Sequence, residues 1–442
     1  MKKNKNNCTK PISQNLILTL LALYFIPISN SPLKKPPPLP ILPLPSSPQL
    51  EWQLSSMALF LHFGPNTFTD SEWGTGRADP RVFNPTRLNA SQWVHAAKSA
   101  GFNRVILTAK HHDGFCLWPS EYTDYSVKSS EWKNGTGDVV AELALAAKEA
   151  GVDLGLYLSP WDRHEPSYGK TLEYNEFYMA QMAELLTRYS QGGDPHGHDW
   201  VPAECDVSIR RGWFWHASEA PKSAVELLDL YYKSVGRNCL LLLNVPPNSS
   251  GLISAEDIQV LQEFSDLRKS IFSYNLAENA LVSASSTRGG ISSSQFDPHN
   301  VMKEGIYTYW APEENQSDWT LLINLQEPVS FNVLQVQEPI HMGQRIIKFH
   351  LDILNEEGTW KKVINGTTVG YQRLLQFPTV KSQQLRFVID KSRAEPLISH
   401  SGIYMDKFSI VSSMSDSTSQ TSLNGSHILQ KSMFNHSEIA AI

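Results

Sequence analysis

Short apolar runs alternate with amphipathic segments over residues 52–272. Four runs of almost wholly apolar residues predict strands that are buried on both faces, at 57–64, 104–110, 152–158 and 239–245. Apolar residues at helical spacing predict helices at 90–100, 139–150, 172–189, 224–235 and 254–269. Regular alternation of strand and helix with short connections indicates a parallel sheet with right-handed crossovers.

Residues at the ends of these helices support the same reading. Asn89 and Ser254 stand where an N-cap is expected, and Asp138 or Thr136 does so for the helix at 139–150. Gly151 follows that helix, where a left-handed residue closes the last turn. A further strand is expected near Trp213, within a dense aromatic run.

The pattern changes at residue 273. From 277 to 410, short alternating segments separated by Gly, Asn and Pro turns predict an antiparallel β-sandwich over 273–411. Residues 412–442 are rich in Ser and Thr and are expected to be disordered. The proline-rich stretch 31–49 is expected to be an extended linker, with order beginning near Trp52.

Composition excludes several classes of protein. Hydrophobic residues make up 41 % of the chain and aromatic residues 10 %, which is enough for sizeable cores. The net charge is −6 and no basic stripe follows residue 35, so nucleic acid is not an expected partner. The chain has four cysteines and no Cys-x-x-Cys pair, which argues against a structural zinc site.

The first thirty residues predict a signal peptide, because several lysines precede an apolar run from Leu16 to Ile28. The alternative is a weak membrane anchor, although the run is too short to span a bilayer. A secreted, extracellular protein is therefore expected, with no stable membrane insertion after signal removal. Asn-x-Ser/Thr triplets that could then be glycosylated occur at Asn89, Asn134, Asn248, Asn315, Asn365, Asn424 and Asn435. Removal of Cys8 leaves three cysteines, an anomaly for an oxidising compartment.

Candidate chemistry collects after the predicted strands, where parallel barrels bind their ligands. The residues that follow the first three strands and bear on a ligand are His62, Glu72, Trp73, His111, His112 and Trp161. Neutral imidazoles with flat aromatic faces suit a sugar, whose hydroxyls are hydrogen-bonded and whose C–H face stacks on rings. The rival hypothesis is a metal site of His62, His111, His112 and Asp113, but adjacent residues at a strand end tend to point apart. A structural role for the histidines is the remaining alternative.

A later segment, 200–216, mixes acids with aromatic residues. Glu204 and Trp213 are candidate binding residues, while packing and pocket lining are equally plausible for Trp213, Phe214 and Trp215.

The motifs HFG at 62–64, KHHDGF at 110–115, YLSPWDRH at 157–164 and GWFWH at 212–216 resemble the α-L-fucosidases of glycoside hydrolase family 29. The likeness is to the secreted plant type that removes 3- and 4-linked fucose, found in the apoplast or cell wall. It implies a (β/α)8-type TIM barrel over 50–272 and a discoidin-like, factor 5/8 C-type sandwich (a galactose-binding-like jelly roll). It also implies that His62, His111 and His112 bind fucose hydroxyls and that Trp73 and Tyr157 contact the sugar ring and its methyl group. Fucosylated glycans are then the partners, and no cofactor or metal is expected.

One part of the family pattern is absent. A retaining mechanism needs a nucleophile and an acid/base about 5–5.5 Å apart, and the family's Asp nucleophile lies in a Trp-x-Asp-Gly context. Between Tyr189 and Trp200 no such motif occurs, so neither catalytic residue is identifiable. The other acids near strand ends are Asp113, Asp162, Glu204 and Asp206, and nothing places two of them at catalytic spacing.

The barrel is therefore expected to be incomplete, with about seventy residues deleted near 190–200, by splicing or through an error in the gene prediction. The leading hypothesis is a fucosidase by descent that lacks its catalytic segment. The alternatives are a catalytically dead, lectin-like fucose-binding protein and, less favoured, a metal-dependent hydrolase.

Overall fold

The computed structural model describes residues 35–189, 202–290 and 294–408. The predicted signal peptide, the junction between Tyr189 and Trp200, the tail from 412, and Asn424 and Asn435 lie outside these residues. Residues 1–37 group apart from residues 38–442, and those described among them, 35–37, contain no helix or strand.

The first group of elements alternates helices with parallel strands. Its helices are α1 (Ser47–Ser55), α2 (Pro65–Phe68), α3 (Ala90–Ser99), α4 (Val139–Ala150), α5 (Thr171–Tyr189), α6 (Ala224–Lys233) and α7 (Ala255–Phe272). Its strands are β1 (Met57–Leu61), β2 (Arg104–Lys110), β3 (Asp153–Leu158), β4 (Ala203–Ser208) and β5 (Cys239–Asn244). Short 3₁₀ turns occur at Pro80–Val82, Val127–Ser129 and Trp132–Gly135.

The five parallel strands form one sheet in the order β3-β2-β1-β5-β4. The last strand of the group, β5, pairs with β1, with Phe60 opposite Asn244. On the other side of β1, Phe60 is opposite Ile106. The predicted parallel α/β architecture is confirmed at this level, and closure of a barrel stays a prediction.

Burial divides the strands into a centre and two edges. All five residues of β1 are buried, whereas in β3 and in β4 only the last residue is buried. Alternate side chains of the central strands point to opposite faces. One face packs on the helices, and the other carries a small cluster formed by Ala58, Phe60, Ile106, Leu240 and Leu242.

The predicted helix ends are confirmed at Asn89, Asp138 and Gly151, whereas Ser254 precedes α7 without a capping hydrogen bond from its side chain. Asn89 accepts a hydrogen bond from the Gln92 amide at 3.0 Å, and Asp138 accepts one from the Ala141 amide at 2.8 Å. Gly151 adopts a left-handed conformation with φ 64° and closes α4. Asp138 is therefore the N-cap, and the alternative, Thr136, is not.

The expected strand at Trp213 is wrong. The strand is β4, which ends at Ser208, and Trp213 lies in the loop between β4 and α6. Acidic residues at 204 and 206 obscured β4, because an exposed edge strand lacks the continuous apolar pattern of a buried one.

Cys205 on β4 and Cys239 at the start of β5 form a disulfide, with a Cα–Cα distance of 6.0 Å. Cys116 is free and buried. The anomaly of three cysteines is thus resolved without a lost partner, because two of them pair across neighbouring strands and the third is in the core.

The proline-rich stretch is less independent than predicted. Helix α1 already begins at Ser47, not near Trp52. Upstream of it, Leu39 O accepts a hydrogen bond from Arg345 at 2.6 Å, and the Ile41 amide donates to Met342 O at 3.1 Å. Backbone carbonyls and amides bind an extended segment whatever its composition, so the sequence pattern gave no sign of this contact.

The second group of elements is an antiparallel sheet. Its strands are β6 (Leu281–Ala284), β7 (Thr320–Gln337), β8 (Ile346–Leu354), β9 (Trp360–Gly366), β10 (Arg373–Ser392) and β11 (His400–Tyr404). The order is β11-β7-β10-β8-β9, and β6 pairs with the first part of β7. Short 3₁₀ turns occur at Pro298–Met302 and Ile340–Met342. An antiparallel sheet is confirmed, whereas a two-layer jelly roll stays a prediction.

Two of these strands are longer than expected, because prolines that look like turn signals lie inside them. Pro378 lies in β10 where its pairing with β7 shifts register, between Gln376 and Val380. A proline is tolerated in a strand at such a bulge.

The antiparallel sheet is joined to the first group by packing and hydrogen bonds. Val333, Leu374 and Tyr404 belong to the same buried cluster as the residues on the helix-covered face of the parallel sheet. Tyr232 on α6 donates a hydrogen bond to Asp406 at 3.0 Å. No helix in the described parts of the chain is both long enough and apolar enough to cross a membrane.

Candidate functional site

Three predicted histidines meet where β1 and β2 end. His62 directly follows β1, and His111 and His112 directly follow β2. The ring centroids of His62 and His111 lie 5.3 Å apart, and those of His111 and His112 lie 4.1 Å apart. Because β1 and β2 are adjacent and parallel, their carboxyl ends bring these residues together, as the sequence predicted.

The tautomer of His62 is set by Asn244, the last residue of β5. Asn244 donates from Nδ2 to the Trp213 carbonyl at 2.8 Å, and its Oδ1 accepts from the His62 backbone amide at 3.3 Å. This fixes the orientation of the Asn244 amide, because a carbonyl only accepts and an amide N–H only donates. Oδ1 also lies 2.9 Å from His62 Nδ1, so that nitrogen carries the hydrogen and Nε2 is a bare acceptor.

His112 is held in the same tautomer by a serine. Ser159 Oγ donates to the Trp161 carbonyl at 2.7 Å, and it lies 2.7 Å from His112 Nδ1. The single hydroxyl hydrogen is used on the carbonyl, so Nδ1 of His112 carries a hydrogen and donates it to Oγ. His112 therefore also presents Nε2 as an acceptor.

All three imidazoles are neutral at ordinary pH. Burial lowers the pKa of His62 to about 3 and that of His112 to about 4. Burial also lowers the pKa of His111 well below its usual value. Nδ1 of His111 is buried and has no hydrogen-bond partner among the described residues.

Aromatic side chains surround the histidines. The indole of Trp73 is stacked on His112 with centroids 5.5 Å apart and planes 12° apart, and 44 % of Trp73 is exposed. The ring centroids of Trp161 and Tyr157 lie 5.0 Å and 6.4 Å, respectively, from that of His112. Trp73 thus offers an open flat face beside a bare imidazole acceptor.

The aromatic residues after β4 have two roles: some pack beneath the histidine cluster and others lie at its surface. Phe214 is fully buried and lies 4.9 Å from His111, ring centroid to ring centroid, so it supports the cluster. Trp213 is partly exposed and lies 5.2 Å from His62. Trp215 Nε1 is buried and has no partner in the described part of the chain.

Glu72 is placed beside the cluster, but its carboxylate is occupied by the protein. One oxygen accepts from the Trp213 amide at 2.9 Å, and the other accepts from the Phe214 amide at 3.2 Å. The second oxygen also lies 2.7 Å from His216 Nε2. Glu72 therefore positions the loop that carries Trp213. Neither the place of Glu72 in the sequence nor its residue type indicated this role.

Glu204 does not join the other candidates. It is the second residue of β4 and is exposed, whereas the histidines meet at the opposite, carboxyl end of the sheet. Asp206 shares a face of β4 with Glu204 and is also exposed. Only Ser208, at the end of β4, reaches the site, where Asn244 Nδ2 donates to its Oγ at 2.9 Å.

Asp162 is held by structural partners, whereas one oxygen of Asp113 has none among the described residues. Asp162 forms a buried ion pair with Lys110, Nζ to Oδ2 2.9 Å, and its other oxygen accepts from the amides of His164 and Glu165. Asp113 is buried, which raises its pKa to about 7, and its Oδ1 accepts from the Phe115 amide at 3.5 Å.

The metal hypothesis finds no ligand set here. Within residues 35–189, 202–290 and 294–408, no three His, Cys, Asp or Glu side chains are placed to hold a metal ion. Nδ1 of His62 and Nδ1 of His112 both carry hydrogens, so neither can serve as a ligand atom in these tautomers.

Sequence reasoning missed Asn244, Ser208 and Ser159. Asn244 could have been found by the rule that found His62, because it is the polar residue that ends a strand of leucines. The two serines carry no such signal, because an isolated serine near a strand end is common.

Comparison with known proteins gives the family. The family model for alpha-L-fucosidase matches residues 63–195. Alpha-L-fucosidase 1 of Arabidopsis thaliana is 57 % identical over 482 positions, which include 89 % of this chain and 95 % of the relative. This chain belongs to the alpha-L-fucosidase family.

Solved structures of this family have the same fold. A Ruminococcus gnavus fucosidase of glycoside hydrolase family 29 in complex with fucose is 30 % identical, with a TM-score of 0.77, over 84 % of this chain and 97 % of that one. A protein called SpGH29 is 35 % identical, also with a TM-score of 0.77, over 83 % of this chain and 99 % of that one. The mixed α/β architecture with a parallel and an antiparallel sheet is thus that of the alpha-L-fucosidase family.

The Arabidopsis alignment is longer than the part of this chain that it covers. Since 89 % of 442 residues is about 390 residues and the alignment has 482 positions, about 90 positions stand opposite gaps in this chain.

Proposed function

We propose that this chain recognises terminal α-L-fucose through its histidine cluster and that it lacks the residues that cleave the glycosidic bond. Recognition is carried by one observation, the meeting of His62, His111 and His112 at the ends of β1 and β2. The activity of the alpha-L-fucosidase family supplies the sugar.

The chemistry of the cluster fits a fucose ring. Nε2 of His62 and Nε2 of His112 are bare acceptors, which suit hydroxyl groups that donate. The exposed face of Trp73 suits the C–H face of a pyranose, and Tyr157 supplies apolar surface for the sugar's methyl group. An uncharged site matches an uncharged sugar, because burial keeps all three imidazoles neutral.

The surroundings of the described carboxylates support the proposed loss of cleavage. A retaining glycosidase needs two carboxyl groups about 5–5.5 Å apart, one as nucleophile and one as acid/base. Glu72 is bound to backbone amides and Asp162 to Lys110. Neither is free to attack the anomeric carbon, and Glu204 and Asp206 lie along an exposed edge strand. Of these acids, Asp113 has a buried oxygen without a partner among the described residues, but one carboxyl group cannot serve as both nucleophile and acid/base.

The arrangement of the sheet supports a missing segment. In an eight-stranded barrel the last strand pairs with the first, as β5 pairs with β1 here. Each strand–helix unit of such a barrel takes about 30 residues, so three units take about 90. That is close to the total number of gap positions in the Arabidopsis alignment and exceeds the seventy residues expected from sequence. We place the deletion between α5 and β4, as the product of a skipped exon or of an error in the gene prediction.

Specificity and destination are further parts of the proposal. The resemblance to the secreted plant enzymes supports 3- and 4-linked fucose as the substrate and the cell exterior as the location. Asn89, Asn134, Asn315 and Asn365 are exposed, as glycan acceptors must be. We remove Asn248 from that group, because its side chain accepts from the Ser250 amide at 3.0 Å and is partly buried.

Titration calorimetry with L-fucose tests recognition. The chain should release heat with L-fucose at millimolar concentration, and it should bind 3-fucosyllactose in preference to 2′-fucosyllactose. Trp73→Ala should weaken binding by about 3- to 10-fold, the value of an aromatic contact. Tyr122→Ala, which truncates a similarly exposed ring elsewhere, should not weaken it. Absence of heat with L-fucose would refute recognition.

Sequencing the messenger RNA across the codons for Gln191 to Trp200 tests the deletion. The proposal predicts longer transcripts with an in-frame insertion of about ninety codons that includes a Trp-x-Asp-Gly motif. If every transcript and the genomic sequence run continuously through this junction, neither a skipped exon nor an error in the gene prediction can explain a deletion here, and that part of the proposal is rejected.

A further inference from the structure

A crevice of about 380 Å³ lies where the antiparallel sheet meets the first group of elements. Gln335 and Gln337 on β7 line it together with His400 and Tyr404 on β11. His400 pairs with Gln337 across the two strands, so these side chains share one face of the sheet. The volume falls within the range of small-molecule sites.

The crevice is remote from the histidine cluster. Leu54, which also lines it, lies before the first residue of β1, whereas His62 follows the last residue of that strand. The two sites are therefore at opposite ends of β1. A ligand in the crevice cannot be the sugar that occupies the histidine cluster.

His400 presents a neutral acceptor in the crevice. Its Nδ1 lies 3.1 Å from the Lys303 carbonyl, which can only accept, so Nδ1 carries the hydrogen and Nε2 does not. His400 is only 5 % exposed, and burial lowers its pKa. The imidazole thus stays uncharged and its Nε2 keeps a lone pair.

The two glutamines add uncharged hydrogen-bonding groups. Within the described residues the Gln337 side chain makes one hydrogen bond, to Gln372 at 3.2 Å, out of the four that an amide can make. The Gln335 side chain makes none with any described residue. Unused amide capacity in a concave site is typical of polar ligand recognition.

An open aromatic face stands at the mouth of the crevice. Tyr307 is 72 % exposed, and its ring is supported by His341 with centroids 5.1 Å apart. The support limits the orientations of the Tyr307 ring before a ligand arrives, which lowers the entropy cost of stacking.

The charges of the residues that line the crevice favour some classes of ligand over others. Glu304 is the one acidic residue in the lining, and no lysine or arginine lines this part of the described structure. Phosphates and carboxylates bind to cationic groups, which the lining lacks, and Glu304 would repel them. A neutral molecule rich in hydroxyl groups fits both the amides and the tyrosine face.

We propose that this crevice is a second saccharide-binding site, separate from the histidine cluster, that takes a neutral sugar unit against Tyr307 with its hydroxyls on Gln335, Gln337 and His400. Such a site would hold another part of a glycan or polysaccharide on the opposite side of the molecule.

Saturation-transfer NMR on the full chain carrying Trp73→Ala tests this proposal, because that change weakens the first site at an exposed residue. D-galactose, D-mannose, D-xylose and N-acetyl-D-glucosamine are tested singly at millimolar concentration. At least one should receive saturation, and adding Tyr307→Ala should weaken its binding by about 3- to 10-fold. Adding Tyr122→Ala instead should leave it unchanged.

Two results would overturn the proposal. One is the absence of transfer to all four sugars, and the other is equal binding with and without the Tyr307 ring. Inorganic phosphate serves as the anionic probe, and its displacement of a bound sugar would also contradict a neutral-saccharide site. Failure of L-fucose to bind the unmodified chain would count against the first site only, since the crevice is read out with other sugars.

Discussion

Replacing Asn244 by aspartate tests the assignment of the His62 tautomer. The side chains have nearly the same shape, but a carboxylate cannot donate. The variant loses the donations from Nδ2 to the Trp213 carbonyl at 2.8 Å and to Ser208 Oγ at 2.9 Å. It places an oxygen against that carbonyl and a negative charge 2.9 Å from His62 Nδ1.

The magnitudes follow from these contacts. Two lost hydrogen bonds at about 0.5–1.5 kcal/mol each should lower the free energy of unfolding by about 1–3 kcal/mol. A carboxylate beside an imidazole raises its pKa by about 1–3 units, so the pKa of His62 should move from about 3 to between about 4 and 6. Protonation turns Nε2 into a donor, which removes the acceptor for a fucose hydroxyl.

The assay is histidine side-chain NMR combined with calorimetry. In the unmodified chain, ¹H–¹⁵N spectra should show hydrogen on Nδ1 of His62 from pH 8 to 5. In Asn244→Asp, the L-fucose affinity at pH 5 should fall by up to about tenfold relative to pH 8, the value of one hydrogen bond. Asn355→Asp is the matched control, because Asn355 accepts from Thr359 through Oδ1, a role that aspartate keeps. A His62 with hydrogen on Nε2, or an Asn244→Asp variant with unchanged titration, would refute the reasoning.

Three other outcomes are expected. L-fucose affinity, followed by calorimetry against pH, should be constant from pH 6 to 5, where Asp113 is already largely protonated, and fall below pH 4, where His112 and then His62 take up protons; a decline already between pH 6 and 5 would contradict the lowered pKa values of the histidines. Cys205→Ser should lower the free energy of unfolding in urea by about 3–4 kcal/mol, since the disulfide closes a loop of 34 residues; reductant should then destabilise only the unmodified chain. Lys110→Met should cost about 3–5 kcal/mol in the same assay by leaving Asp162 buried without its cation, and Asp162→Leu in that background should recover much of the loss.

The sequence predicted the central strands and the helices because burial and capping are local signals. The strand β5 is almost wholly leucine, and α4 is bounded by Asp138 and Gly151, so composition and end residues define both. The edge strand β4 was misplaced for the opposite reason, since its exposed acidic residues resemble a loop.

The sequence predicted which residues form the candidate site better than it predicted the hydrogen bonds that hold them. The cluster of His62, His111 and His112 follows from the ends of adjacent parallel strands. The binding of Glu72 to amides of the loop after β4 depends on residues about 140 positions away. Such contacts are made by folding at long range, and no periodicity or spacing encodes them.

The central claim is that this chain binds α-L-fucose without cleaving it. Hydrolysis of 4-nitrophenyl α-L-fucoside by the purified chain, at concentrations that saturate binding and beside the Arabidopsis relative, tests the claim most directly. The account predicts that 4-nitrophenol appears no faster than in buffer, because no described carboxylate pair can form and hydrolyse a glycosyl-enzyme intermediate. Turnover comparable to that of the relative would contradict it.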